Sequence, residues 1–81
     1  MYYTYILYSK SIDKFYIGST NDVYNRLQRH NKGHSNYTRK GIPWELEYYE
    51  EYSLRSEAVR REQHLKKQKN RNYIEQLIAK G

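Results

Sequence analysis

The chain contains no cysteine, which excludes a disulfide framework and any zinc site built on thiolates. That absence is compatible with a reducing cytosol without requiring one. There is no long apolar run. The opening stretch MYYTYILYSK has neither a basic leader segment nor the length of a membrane span, so the expectation is a cytoplasmic protein with no membrane partner. Internal repeats, low-complexity tracts and linkers are missing too. Eighty-one residues leave room for one domain, 1–81, with a modest core. Acidic residues are the minority: 9 Asp+Glu stand against 15 Lys+Arg, a formal net charge of +6. Such an excess favours an anionic partner, of which nucleic acid is the commonest.

Tyrosine is what the chain has in abundance, with 11 copies. A phenol buries its ring while its hydroxyl asks for a polar partner, so most of these tyrosines are expected in the sheet and along its rim. Tyr2 to Tyr8 (YYTYILY) reads as a strand, the polar SKSID segment as a hairpin loop, and Lys14 to Gly18 (KFYIG) as the return strand, with Gly18 as a sharp turn. Asn21 and Asp22 are helix starters, and Val23 and Leu27 mark the inward stripe of a helix running to about His30. Residues 31–40 are a loop by composition. After Pro43, the alternation of Trp44, Leu46 and Tyr48 with Glu45, Glu47 and Tyr49 predicts a half-exposed strand. Ser53 is placed to cap a second helix through about Lys69, with Leu54, Ala58 and Leu65 on its apolar stripe. Tyr73, Ile74, Leu77 and Ile78 predict a short closing helix. The expected fold is α/β, a small three-stranded antiparallel sheet flanked by helices in the order β-β-α-β-α-α.

Several residues stand where core residues belong. Across a hairpin loop of about four residues, Tyr5 and Tyr16 are expected roughly opposite each other on one face. Arg26 and His30 lie one turn apart and flank the stripe of the first helix. Glu62 falls on the apolar stripe of the second, where a carboxylate is costly unless paired, hydrated or bound to a metal. An ion pair, with Arg26 as an available partner, competes there with a lone ligand for magnesium, which is commonly held by one carboxylate plus waters and phosphate. The run RREQHLKKQKNRN gathers Arg60, Arg61, Lys66, Lys67, Lys69 and Arg71 for phosphate contact, or for nothing more than a solvated helix face. Tyr37, Thr38, Arg39 and Lys40 add a basic, aromatic loop.

These residues, in this order, resemble the GIY-YIG nuclease superfamily, and most closely its small stand-alone bacterial proteins, which are similar to the N-terminal nuclease domain of the excinuclease C subunit. Tyr16-Ile17-Gly18 matches the second signature intact. Tyr3-Thr4-Tyr5 stands where Gly-Ile-Tyr is typical, its tyrosine eleven residues before Tyr16. Arg26 lies eight after Gly18 and His30 four further on, both at family spacing. SEAVRRE, Ser56 to Glu62, is similar to the segment whose last glutamate binds the metal. Two departures stand out: Ser19 replaces a lysine of the excinuclease branch, and neither Asn70 nor Asn72 has the spacing of the family's late asparagine. The resemblance implies hydrolysis of DNA phosphodiesters, with structure-specific or repair-related DNA as the substrate, using Mg²⁺ or Mn²⁺. It implies catalytic roles for Tyr5, Tyr16, Arg26, His30 and Glu62, with Glu62 the metal ligand. A non-catalytic nucleic-acid-binding domain that keeps the fold is the alternative.

Overall fold

The computed structural model describes residues 1–68 and 70–81. Its elements are β1 (Tyr2–Ser9), β2 (Lys14–Thr20), α1 (Val23–Asn31), a one-turn 3₁₀ helix (Arg39–Gly41) in the expected loop, β3 (Trp44–Tyr52), α2 (Arg55–Lys67) and α3 (Arg71–Lys80). The sheet is antiparallel in the order β2-β1-β3, and the expected β-β-α-β-α-α arrangement is the one observed.

β1 is the central strand and is covered on both faces, which is why YYTYILY carries no polar alternation. Tyr5 and Leu7 meet Trp44 on one face, packed by Val23 and Leu27 of α1. Ile6 meets Leu65 of α2 and Ile74 of α3 on the other. Ile6, Leu7 and Leu65 are fully buried, and each such side chain contributes about 1.5–3 kcal/mol. The hairpin pairs Ser9 with Lys14, and Asp13 closes it at φ +53°, a left-handed conformation that aspartate tolerates.

Four local expectations need correction. Gly18 makes no turn: it lies buried inside β2, which runs on to Thr20. Its missing side chain serves packing, since a Cβ there would fall 2.5 Å from the Tyr5 hydroxyl. The register sets Tyr5 opposite Gly18 and Tyr16 opposite Leu7, so the two tyrosines are diagonal neighbours on one face. On β3 the register shifts between Ile6 and Leu7. Leu46 pairs with Leu7 but Tyr48 with Ile6, so an extra residue sends Tyr48 to the opposite face from Trp44 and Leu46. Finally, α2 starts from Leu54, not Ser53: the Leu54 N–H donates to Glu57 Oε1 at 3.1 Å, and the Leu54 side chain is exposed. The helix ends at Lys67, and Lys69 lies outside the described residues. α1 is capped as expected, Asp22 Oδ1 accepting from the Asn25 N–H at 3.0 Å. Asn70 caps α3, accepting from the Asn72 N–H at 2.9 Å.

Candidate active site

β1, β2 and α1 bring three of the sequence-selected residues into contact. Tyr5 Oη lies 3.2 Å from His30 Nε2. The Tyr16 ring sits 4.9 Å from the His30 ring and 6.3 Å from that of Tyr5. His30 is not at the helix rim as its spacing suggested but buried, 3% exposed. Its other nitrogen, Nδ1, lies 2.8 Å from Thr38 Oγ1, and Thr38 is wholly buried. Neither spacing nor periodicity points to Thr38, because it sits in a loop. That loop is fixed by Trp44, whose Nε1–H donates to the Thr38 carbonyl at 2.7 Å. The Trp44 backbone in turn is gripped by the Asn31 amide, at 2.6 and 3.0 Å.

Burial, first of all, raises the Tyr5 phenol well above its ordinary value; neighbouring Tyr16 and Glu62 add to this, and the Arg26 guanidinium opposes it. Tyr5 is thus a protonated phenol throughout the neutral range. Burial also lowers His30 below the ordinary 6.5, with help from Arg26 and Arg29, so the imidazole is neutral at pH 7. A neutral imidazole has one N–H. Either Tyr5 donates to Nε2 and Nδ1–H donates to Thr38, or Thr38 donates to Nδ1 and Nε2–H donates to Tyr5.

Arg26 is exposed on α1. It lines a hollow of about 180 Å³ with Tyr16, Arg29, His30 and His34. Among the described residues Tyr16 makes no side-chain hydrogen bond, and its ring also borders a more open cleft of about 480 Å³ with Phe15, Tyr37 and Lys66. Tyr37 is 81% exposed there, its ring 5.7 Å from that of Tyr16.

Glu62 is mostly covered, its side chain 17% exposed. Its partner is not Arg26 but Lys66, whose ammonium donates to Oε2 at 2.6 Å one turn along α2. Among the described residues there is no group of three or more His, Asp or Glu able to hold a metal, so a cation here would rest on one carboxylate. That donor set suits a hydrated hard ion sharing waters and phosphate, such as Mg²⁺ or Mn²⁺; it does not suit structural zinc.

The expected phosphate-binding set divides. Arg61 is spent internally: Nε and an Nη donate to the two oxygens of Glu50 at 2.8 and 3.1 Å, with both side chains mostly covered. Arg71 is engaged as well, its Nη2–H donating to Asp13 at 2.6 Å and its guanidinium 5.2 Å from the centre of the Phe15 ring. Both are engaged in ion pairs within the fold. Arg39 donates to the Gly33 carbonyl at 3.3 Å. Lys40, Arg60 and Lys67 are exposed and carry no ion pair among the described residues. No helix among these residues is long and apolar enough to cross a membrane.

With the geometry set out, the chain can be placed among known proteins. Residues 1–75 match the family model of the GIY-YIG catalytic domain. A UPF0213 protein of Bacillus licheniformis is 36% identical over 84 residues, covering 99% of this chain and 86% of the relative. One from Clostridium perfringens is 40% identical over 80 residues, covering 98% and 84%. Among solved structures, the solution NMR structure of a UPF0213 protein from Bacillus halodurans superposes with a TM-score of 0.60 at 34% identity, covering 98% of this chain and 84% of that one. The names of these relatives state no activity.

Proposed function

The chain belongs to the GIY-YIG catalytic-domain family, and from that premise we propose that it is a metal-dependent endonuclease acting on DNA phosphodiesters. The observation that carries this reading is that Tyr16, His30 and Arg26 line one polar hollow, with the buried Tyr5 hydroxyl bonded to His30 behind it. Arg26 binds the non-bridging phosphate oxygens, where charge gathers in the transition state. Tyr16, open to the hollow and without a side-chain hydrogen bond among the described residues, acts as a phenolate: its own proton leaves to solvent through the hollow, and it then takes the proton of the attacking water. Tyr5, held protonated by its burial, orients that water or Tyr16 through its hydroxyl. His30, neutral and wedged between Tyr5 and Thr38, keeps the Tyr5 hydroxyl in place. Glu62 would hold one Mg²⁺ or Mn²⁺ ion, which when bound supplies charge stabilisation for the phosphate and the departing oxygen.

One observation favours the alternative of a binding domain without catalysis: Lys66 already neutralises Glu62 at 2.6 Å. Cleavage of a labelled panel of single-stranded, duplex, nicked, flap and junction DNA, with RNA alongside, separates the two. The expected result is cutting that needs Mg²⁺ or Mn²⁺, is abolished by EDTA and by Glu62→Ala, and falls about 10²–10⁴-fold in Tyr16→Phe. Binding survives in both variants. If the wild type never cuts while all three proteins bind in a salt-sensitive way, the enzyme reading is overturned and the binding domain takes its place.

A further inference from the structure

Arg26 has a second face. Away from Tyr16 it walls another cavity, of about 90 Å³, shared with Ser19, Thr20 and Asn21 from the end of β2 and with Arg55 from the start of α2. At about 30 Å³ per water, this space holds roughly three waters, or one tetrahedral oxyanion. Among the described residues no carboxylate lines it. Neither Arg26 nor Arg55 makes an ion pair among those residues, which form five such pairs elsewhere. The Arg55 guanidinium is held 5.5 Å over the centre of the Tyr2 ring, which limits its freedom before any ligand arrives. Two guanidinium groups, one of them held over a tyrosine ring, make an anion subsite around a small space with the Ser19 hydroxyl and the Asn21 amide, while the Thr20 hydroxyl is engaged with the Asp22 backbone.

We infer that this cavity binds a second phosphate of the nucleic-acid strand, next to the phosphate that is hydrolysed. Arg26 is the common wall. A strand with one phosphate between Tyr16 and Arg26 brings a neighbouring phosphate against the far side of Arg26, where Arg55 and Ser19 receive it. The inference rests on the nuclease reading for its meaning, but its binding chemistry is testable without cleavage.

The test uses the full chain carrying Tyr16→Phe, in EDTA, with inorganic phosphate as the probe and amide NMR as the readout. Phosphate is expected to shift the resonances of Ser19, Thr20 and Asn21, and Arg55→Ala to abolish those shifts while Arg55→Lys keeps part of them. On a DNA oligonucleotide, Arg55→Ala should flatten the slope of log K against log salt by about 0.7–0.9, the loss of one phosphate contact. Arg55 is the exposed first residue of α2, and a melting curve checks that its variants fold. The inference is overturned if phosphate moves only resonances around His30, or if Arg55→Ala leaves the salt slope unchanged. A protein that shows these shifts yet never cuts DNA sinks the nuclease reading alone; one that cuts DNA without them sinks the subsite alone.

Discussion

At the scale of single residues, the site depends on two small residues, Gly18 and Thr38. Gly18 gives up its side chain to the Tyr5 phenol, and a Cβ at that position would come within 2.5 Å of Oη and 2.7 Å of Cζ. Tyr5 is 1% exposed, so its ring has nowhere to go. Gly18→Ala is expected to cost about 1–3 kcal/mol by overpacking, measured by urea unfolding, and to lower cleavage further by displacing the Tyr5 hydroxyl from His30. His30 sets a pH limit. Its pKa is lower folded than unfolded, so the unfolded chain binds the extra proton. The contribution of the neutral imidazole is complete above the unfolded value of 6.5 and is lost as pH falls through the folded one. Urea unfolding between pH 8 and 5 should therefore show wild-type stability declining below about pH 6.5, with that component of the slope missing in His30→Gln. Tyr5, Tyr16 and His30, picked out by their spacings, do meet in the structure, with Arg26 beside them. Thr38 was not legible, since a loop residue earns its position from Trp44 and Asn31, through contacts that no periodicity encodes. The role of Gly18 was misread for a related reason: glycine in a sequence signals either a turn or a close approach, and only the register tells which.

The elements themselves were legible wherever burial imposed a period. α1 shows its apolar face and its cap, α3 its apolar face, and β1 its strand character. β3 defeats simple alternation because the shift between Ile6 and Leu7 turns Tyr48 over, and one inserted residue leaves no compositional trace. That turn has a consequence. It puts Tyr48 on the α2 side, where Glu50 accepts from Tyr48 at 2.5 Å, from Tyr52 at 2.6 Å and from Arg61 at 2.8 and 3.1 Å. Burial opposes the charge on Glu50, but the bonds from Arg61 and the two tyrosines outweigh it and hold the carboxyl below its ordinary range. The cluster ties β3 to α2 one residue before Glu62, and so fixes the rotation of the helix that carries the proposed metal ligand. Arg61 in a charge run looks like any phosphate-binding arginine; only the helix rotation reveals that it faces inward. Glu50→Ala leaves that guanidinium covered and unpaired, and is expected to destabilise the fold by about 3 kcal/mol in denaturant unfolding. The metal concentration needed for half-maximal cleavage should rise as well, since Glu62 loses its anchorage.

Over the whole molecule the charges are sorted. The β3 edge carries exposed Glu45, Glu47 and Glu51, and among the described residues only Glu45 of these has a cation nearby, Lys10 at 3.7 Å. β2 forms the other edge of the sheet; there Tyr16 opens toward Arg26, Arg29 and Lys66. A net charge of +6 was enough to suggest an anionic partner, but a sum over the chain cannot say which side the partner meets. The sorted surface can, because counterions are released only where phosphates lie against cations. Arg29, absent from the basic residues picked out in the sequence, lines the Tyr16 hollow; Lys80 is the last residue of α3, the helix packed on the opposite face of the sheet. Arg29→Gln and Lys80→Gln each remove one positive charge, so any effect of net charge alone is the same in both. If nucleic acid meets the β2 side, Arg29→Gln should flatten the slope of log K against log salt by about 0.9 on duplex DNA. Lys80→Gln should leave the slope at its wild-type value. Equal changes in the two variants, read from fluorescence anisotropy over a salt series, would mean that the nucleic acid responds to the overall charge and not to this face.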